Sequence, residues 1–511
     1  MTRSARWGVT AAWFAAGLGL AAPFRSQFAY HWDSAEFALA VQHYDVALSQ
    51  PHAPGYFLYV MLGRLVNLAV GDPHASLVWL SALAGGGLAA AMFWLGAAMF
   101  GRRAGVAAAA FALTSPQIWF HSCVALTYVV DALGVCVAGL VCYRMVERGG
   151  SWARCVGLGA LLAVIGGVRS QSVPALMPLV FFTFWKLPRA RFRQLLLTGA
   201  VAAGLALVWF VPMVAWSGGL PRYLELVRRH SLFNAPATWA GGGADALGWN
   251  IFFSVLFCAD GLLAVGGILL AALLYRVWGL SEERKRAWDQ RHALALQFLA
   301  IWIGSMLVVI TALGFTKQPG YVLNQVTGLL LLAAGAVAAV RRRGAMVGIV
   351  ALAGAVNAAA FLAWPPAWDG VFFGTGRTAR EIRRHDRQMA SALEELRQHA
   401  DPSQTVVAHA AEYLHFGLRQ FQLHAPEFDQ LQFAADETML HPPGQPLMAV
   451  RGGRLGFVSG LEAFGKTNLV LLVPPDKAVD VFAPYVDVRG ARPLAPGRAN
   501  LYALRLGPSG K

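Results

Sequence analysis

Charge is scarce in this chain: Asp, Glu, Lys and Arg make up 14 % of its 511 residues, and acids are the scarcer sign, 27 against 42 basic residues. That is well below the quarter or so that ordinary soluble domains carry. Cysteine is sparse as well. The five residues Cys123, Cys136, Cys142, Cys155 and Cys258 all lie in or beside apolar runs and none follows them, so no disulfide or zinc framework is signalled. No glycine-rich phosphate loop and no Gly-x-Ser-x-Gly elbow occurs, which argues against nucleotide binding and against a serine hydrolase. Internal repeats and low-complexity tracts are also missing.

What the chain has is apolar length. It is 57 % hydrophobic with a mean hydropathy of +0.50. Continuous apolar runs fall near 8–24, 76–100, 104–121, 124–143, 153–168, 171–185, 194–216, 247–275, 293–314, 321–340 and 345–364. They lack the alternation of lipid-facing strands, so they predict an α-helical polytopic membrane protein with about eleven spans. The net charge of +15 could point to nucleic acid, but the basic residues sit in short clusters between the runs. With a cytoplasmic N-terminus, the cytoplasmic loops collect nineteen basic residues, among them Arg3, Arg6, Arg102, Arg103, Arg144, Arg148 and Arg341 to Arg343. The opposite face collects seven: Arg25, Arg64, Arg169, Arg222, Arg228, Arg229 and Lys317. The positive-inside rule then predicts a multi-pass protein of the plasma (inner) membrane, with residues 31–75 and the C-terminal tail both outside. The first run has no small-residue cleavage site after it and is expected to stay.

The densest chemistry follows that first run. Asp33 and Glu36 are three apart, so on a helix both carboxylates face one way. The pair suits general-base chemistry; it equally suits a capping box, in which both acids satisfy free amides at a helix start. Segments 34–48 and 55–70 carry apolar residues at helical spacing and predict two interfacial helices. Between them Gln50-Pro51-His52-Ala53-Pro54-Gly55 is a rigid turn that holds His52 at a corner. His43 and His52, with the two acids, permit a divalent metal site without requiring one. A second outer loop, 217–246, predicts a short amphipathic helix with Arg228 and Arg229 between glycine-rich ends. Arg169, at the rim between two spans, suits an anionic headgroup or snorkels to the interface. Lys317 sits beside the Gln318-Pro319-Gly320 turn with the same two readings. His121, Tyr128 and Asp131 read as a structural hydrogen-bond network, and Asp260 lies deep in the eighth span. After Trp364-Pro365-Pro366 the composition changes to a charged amphipathic helix over 377–400 and strands at 405–410, 468–476 and 500–506. This predicts a small α/β domain, so the expected division is 1–366 and 367–511.

Taken in order, several short motifs resemble one family. They are Asp33-Ser34-Ala35-Glu36; His52-Ala53-Pro54-Gly55-Tyr56; Phe100-Gly101-Arg102-Arg103-Ala104-Gly105; Val168-Arg169-Ser170-Gln171; and Gln318-Pro319-Gly320-Tyr321. Together the first 370 residues resemble the GT-C superfamily of membrane glycosyltransferases, near its protein O-mannosyltransferase-like branch. The resemblance implies inverting transfer of a sugar from a polyprenyl-phosphate donor to an acceptor hydroxyl of a protein, lipid or glycan on the outer face. It implies Asp33 as base, with Glu36 and His52 orienting the base or the donor. Arg169, Lys317, Arg228 and Arg229 are then the cations available to the phosphate, and Tyr56, Tyr128, Gln318 and Tyr321 further pocket residues. No cofactor follows with certainty beyond a possible divalent ion, and no nucleic acid partner is expected. Two departures stand out: Ala53 where relatives often have proline, and Thr127 before Tyr128 where they often carry Glu. A lipid-linked substrate transporter, with Asp260 in its path, and a non-catalytic scaffold of the same fold remain the alternatives.

Overall fold

The computed structural model describes residues 2–187, 191–279, 281–313, 318–363, 378–410, 415–433, 447–474, 477–495 and 501–506. The membrane part begins with α1 (Arg3–Ala21), α2 (Trp32–Gln42) and α3 (Phe57–Val70), followed by α4 (Pro73–Phe100), α5 (Arg102–Thr114) and α6 (Pro116–His121). It continues through α7 (Tyr128–Arg148), α8 (Trp152–Val168), α9 (Ser172–Lys186), α10 (Arg191–Trp216) and α11 (Leu220–Asn234). The last helices of this part are α12 (Trp239–Leu262), α13 (Ala264–Leu274), α14 (Glu282–Leu313), α15 (Leu323–Ala338) and α16 (Arg343–Ala363). Among the described residues, eight helices are long and apolar enough to cross a membrane, and α3, α8, α9 and α13 lie on shorter apolar segments.

Each expected span coincides with helix, but two are broken. The run 104–121 divides at Ser115 and Pro116, because a proline cannot continue the hydrogen-bond ladder of α5 and instead opens α6. The run 247–275 divides at Leu263, whose φ of 43° interrupts the helix between α12 and α13. Close packing follows from small residues, as is usual where lipid supplies no hydrophobic drive between helices. A Cβ on Gly17 of α1 would stand 2.7 Å from the Cα of Gly86 on α4, and one on Gly105 would stand 2.5 Å from the Phe93 carbonyl.

Both expected loop helices are present, but α2 is enclosed: residues 34–41 are all buried. The expected outer-loop helix is α11, between Gly219 and a short turn at Ala235.

The soluble part opens with α17 (Ala379–His399). After β1 (Thr405–His409) come α18 (Leu418–His424), β2 (Asp429–Gln432), β3 (Leu447–Arg451), β4 (Arg454–Val458), β5 (Asn468–Leu472), β6 (Arg492–Pro493) and β7 (Leu501–Arg505). The sheet order is β4-β3-β2-β1-β5-β7-β6, with β1 parallel to both β2 and β5 and the remaining pairs antiparallel. Met389, Leu393 and Leu396 of α17 cover Val407, Val470 and Leu472, and Val406, Leu431, Leu469 and Phe482 form a second core on the other face. The expected domain boundary at 366 lies outside the described residues.

The soluble domain docks on the segment between α1 and α2. Asp386 accepts hydrogen bonds from the amides of Gln27 (3.0 Å) and Phe28 (3.2 Å), and His424 Nε2 from that of Ala29 (3.0 Å). His415 Nδ1 donates to the carbonyl of Tyr30 at 2.7 Å. The domain and the loop carrying Asp33 therefore share one end of the bundle.

Candidate functional site

The helix start is not the capping box that its sequence allowed. His31 is the N-cap of α2, its Nδ1 accepting from the Asp33 amide at 3.1 Å. Asp33 lies inside the first turn, where a negative charge is favoured by the helix dipole, and its carboxylate is not the cap. Glu36, one turn on, is not the reciprocal half of a capping box. Its Oε1 accepts from Trp32 Nε1 at 2.9 Å, and its Oε2 lies 2.6 Å from His52 Nδ1 and 3.3 Å from the His52 amide. The capping-box reading is thus replaced by a cluster.

His52 is delivered by the turn between α2 and α3. The hydroxyl of Tyr44 donates to the Gly55 carbonyl at 2.8 Å, that of Tyr223 on α11 donates to the Pro54 carbonyl at 3.1 Å, and Gly55 adopts φ +107°, which favours glycine. Asp33 Oδ1 is 3.9 Å from His52 Nδ1, and Asp33 Oδ2 is 3.6 Å from His31 Nδ1. Burial works to lower the pKa of His52, but the Asp33 and Glu36 carboxylates outweigh it and hold the ring above the usual histidine value. His31 goes the other way, lowered chiefly by burial. Side-chain exposure separates the acids: Asp33 is 22 % exposed and Glu36 3 %. Asp33 is therefore the carboxylate that an incoming group can reach.

Asp33, Glu36 and His52 each offer a ligand atom, all within 4.8 Å of one another. Two carboxylates and an imidazole are donors suited to a hard or borderline divalent ion, and would hold one after the His52 to Glu36 hydrogen bond opened. His43, the other histidine weighed for such a site, is exposed at the C-terminal end of α2 and takes no part.

A second layer surrounds Arg169, which is 5 % exposed. Its guanidinium lies 4.4 Å from the ring centroids of both Tyr128 and Tyr321, and its Nη1 donates to Thr127 Oγ1 at 3.1 Å. Its Nη2 has no hydrogen-bond partner among the described residues. Tyr128 hydrogen-bonds Gln318, whose amide is 3.2 Å from His31 Nε2, so this layer connects to the N-cap of α2. Asp131 is held by Ser172 (2.7 Å) and Asn324 (2.9 Å). His121 meets Tyr128 through a ring contact, with centroids 5.0 Å apart.

Two of the expected cations are not brought in. Arg228 and Arg229 are 65 % and 48 % exposed and both pair with Glu225 on their own helix, at 2.8 Å each. Lys317 lies outside the described residues. What α11 does supply is His230, stacked on His52 with centroids 5.4 Å apart and its pKa pushed down to about 4 by burial and by His52. Sequence reasoning missed His230, His31 and Arg419. Arg419, on α18, is wholly buried; its Nη2 donates to the Leu48 carbonyl at 2.5 Å and lies 3.9 Å from Glu36 Oε1. His31 could have been noticed from its place two residues before Asp33, but nothing local marks Arg419.

No protein-family model matches the chain, and no curated protein matches it. Solved structures do. The chain is similar to ArnT from Cupriavidus metallidurans bound to undecaprenyl phosphate, with a TM-score of 0.61 at 14 % identity over 99 % of this chain and 98 % of that one. It is also similar to the Archaeoglobus fulgidus oligosaccharyltransferase in complex with Zn and sulfate, with a TM-score of 0.50 at 12 % identity over 91 % of this chain and 68 % of that one. The likeness is one of fold, and it extends over helix bundle and soluble domain together.

Proposed function

We propose that this protein is an integral-membrane glycosyltransferase that moves a sugar from a polyprenyl-phosphate donor to an acceptor hydroxyl at the face where the soluble domain sits, with Asp33 as general base. The observation that carries the reading is the reachable Asp33 carboxylate beside buried Glu36 and its partner His52, in this fold. In the reaction the acceptor hydroxyl gives its proton to Asp33 as its oxygen bonds to the anomeric carbon. The bond from that carbon to the phosphate oxygen breaks from the opposite side, inverting the centre, and the electron pair leaves with the lipid phosphate. His31 and His52 position the Asp33 carboxylate. Arg169, with Nη2 uncommitted and a neutral partner in Thr127, is the buried cation that meets the leaving phosphate. A divalent ion held by Asp33, Glu36 and His52 would supply further charge stabilisation there.

The finer parts of the proposal are a mannosyl-type sugar and an inner-membrane site with the N-terminus cytoplasmic. They rest on the motif resemblance and on the loop charges. Asp260, which the transporter reading placed in its path, lies 3.5 Å from the amide of Gln117 on α6, a structural partner for an intramembrane acid. The deciding experiment compares lipid-linked sugars and surface glycans in cells with and without the protein. A lipid-linked sugar that accumulates, with loss of one glycan, is expected, restored by the wild type and not by Asp33→Asn. Unchanged pools would sink the transferase reading, and restoration by Asp33→Asn would sink the base.

A further inference from the structure

At the other end of the bundle lies a cavity of about 590 Å³ between α1, α4 and α7, lined by Arg3, Arg6, Trp7, Thr10, Trp94, Leu140, Arg144 and Arg148. The spacing on each helix is that of a single face. On α1 residues 3, 6, 7 and 10 follow i, i+3, i+4 and i+7, and on α7 residues 140, 144 and 148 follow i, i+4 and i+8. The two stripes converge on Trp94 of α4, whose Nε1 donates to Thr10 Oγ1 at 2.9 Å and so fixes the indole as the cavity wall.

Its position follows from helix length. The nineteen residues of α1 rise about 27 Å from Arg3 to the segment leading into Asp33. The twenty-one of α7 rise about 30 Å from Tyr128, beside Arg169, to Arg148. That separation matches a hydrocarbon layer of roughly 30 Å, so the cavity opens at the membrane face opposite the Asp33 cluster.

The charge there is unbalanced. Glu147 pairs with both Arg144 (2.5 Å) and Arg148 (3.3 Å), whereas among the described residues no acid pairs with Arg3 or Arg6. Four guanidiniums thus share one carboxylate around a cavity whose remaining wall is two indoles, a leucine and Thr10. Arginines snorkelling to an interface would need no cavity between them, and a site for a free anion would need no apolar wall.

We propose that this cavity holds the headgroup of an anionic phospholipid from the leaflet opposite the Asp33 cluster, its phosphate between Arg3, Arg6, Arg144 and Arg148 and its glycerol end against Trp7, Trp94 and Leu140. The site stands apart from the transferase reading, since it uses none of the residues assigned to transfer. It would tie the N-terminal helix to α7 through a lipid.

The test is native mass spectrometry of the full chain released from nanodiscs of equal phosphatidylglycerol and phosphatidylcholine. The wild type is expected to retain phosphatidylglycerol preferentially, by about tenfold, and Arg3→Gln with Arg144→Gln to lose that preference. Arg102→Gln with Arg103→Gln removes the same charge outside the cavity and is expected to keep it. Helical circular dichroism and the thermal midpoint confirm that each variant is folded. No preference in the wild type, or equal loss in the Arg102 and Arg103 variant, would overturn the site. Displacement of the lipid by excess inorganic phosphate would overturn the lipid as its occupant.

Discussion

The guanidinium of Arg419, a residue of the soluble domain with no exposed surface, lies 3.9 Å from the Glu36 carboxylate in the first loop of the membrane domain. The same group donates to the Leu48 carbonyl at 2.5 Å and to Gln422 at 2.8 Å. The soluble domain thus supplies part of the wall behind the Glu36–His52 pair. Arg419→Met would leave a buried carbonyl and carboxylate without this partner, at an expected cost of about 2–4 kcal/mol. Arg419→Lys keeps the charge but cannot make all three contacts, and should recover only part of it. Thermal unfolding of the full chain in detergent reads this out, and a midpoint equal to the wild type for Arg419→Met would show that docking does not depend on the residue.

Asp33→Asn is expected to lower sugar transfer by roughly 10²–10⁴-fold, the span typical of removing a general base. Among the described residues its carboxylate makes long contacts to His31 and His52, 3.6 Å and 3.9 Å, so the fold should persist. Turnover measured beside the thermal midpoint separates the two; loss of both together would assign Asp33 a structural role.

Arg169→Ala should raise the KM for the lipid-linked donor more than that for the acceptor, because Nη2, without a hydrogen-bond partner among the described residues, is where a phosphate oxygen would bind. Arg169→Lys should rescue poorly, since an ammonium cannot both bond Thr127 and lie over two tyrosine rings. Equal effects on both substrates would count against phosphate recognition.

The docking surface should weaken in acid. Burial pushes His415 and His424 down to about 3, so below the unfolded value near 6.5 the unfolded chain binds protons that the folded chain refuses. Stability therefore falls as pH drops from about 6.5 toward about 3. His52 has the opposite sign: its raised pKa adds stability below the unfolded value that is lost as pH rises through the folded one. Unfolding midpoints across this range should fall on the acid side, and His424→Gln, which keeps an acceptor for the Ala29 amide, should flatten that arm.

The Asp33, Glu36 and His52 cluster should bind a divalent ion, because its donor atoms lie within 4.8 Å of one another. Isothermal titration with Mg²⁺, Mn²⁺ or Zn²⁺ is expected to show one site that disappears in Glu36→Gln. EDTA that leaves turnover undiminished would separate any such binding from the chemistry.

The membrane class and the approximate limits of the helices were legible in the sequence because hydropathy is a local sum: twenty apolar residues demand a helix wherever they lie. The breaks at Pro116 and Leu263 show the limit of that rule. Pro116 carries a visible signal, whereas the positive φ of Leu263 has none in its own residue type; the break is bridged from α16 by Asn357, which accepts from the Ala264 amide and donates to the Leu262 carbonyl.

The site divides along the same line. Asp33, Glu36 and His52 could be picked out because they are close in sequence and bounded by a proline turn. Whether Glu36 capped a helix or met His52 was decided by the enclosure of α2 under the soluble domain, which turns a solvent-facing acid into a buried partner. Arg228 and Arg229 looked like phosphate ligands from charge alone, yet Glu225, one turn back, holds both at the surface while His230 points inward. By itself the sequence determined the solvent of this protein, its helices and the turn that carries His52. Only the tertiary structure decided which charges face one another. Partners such as Arg419 and Glu36 are separated by about three-quarters of the chain, and their pairing depends on how two domains dock.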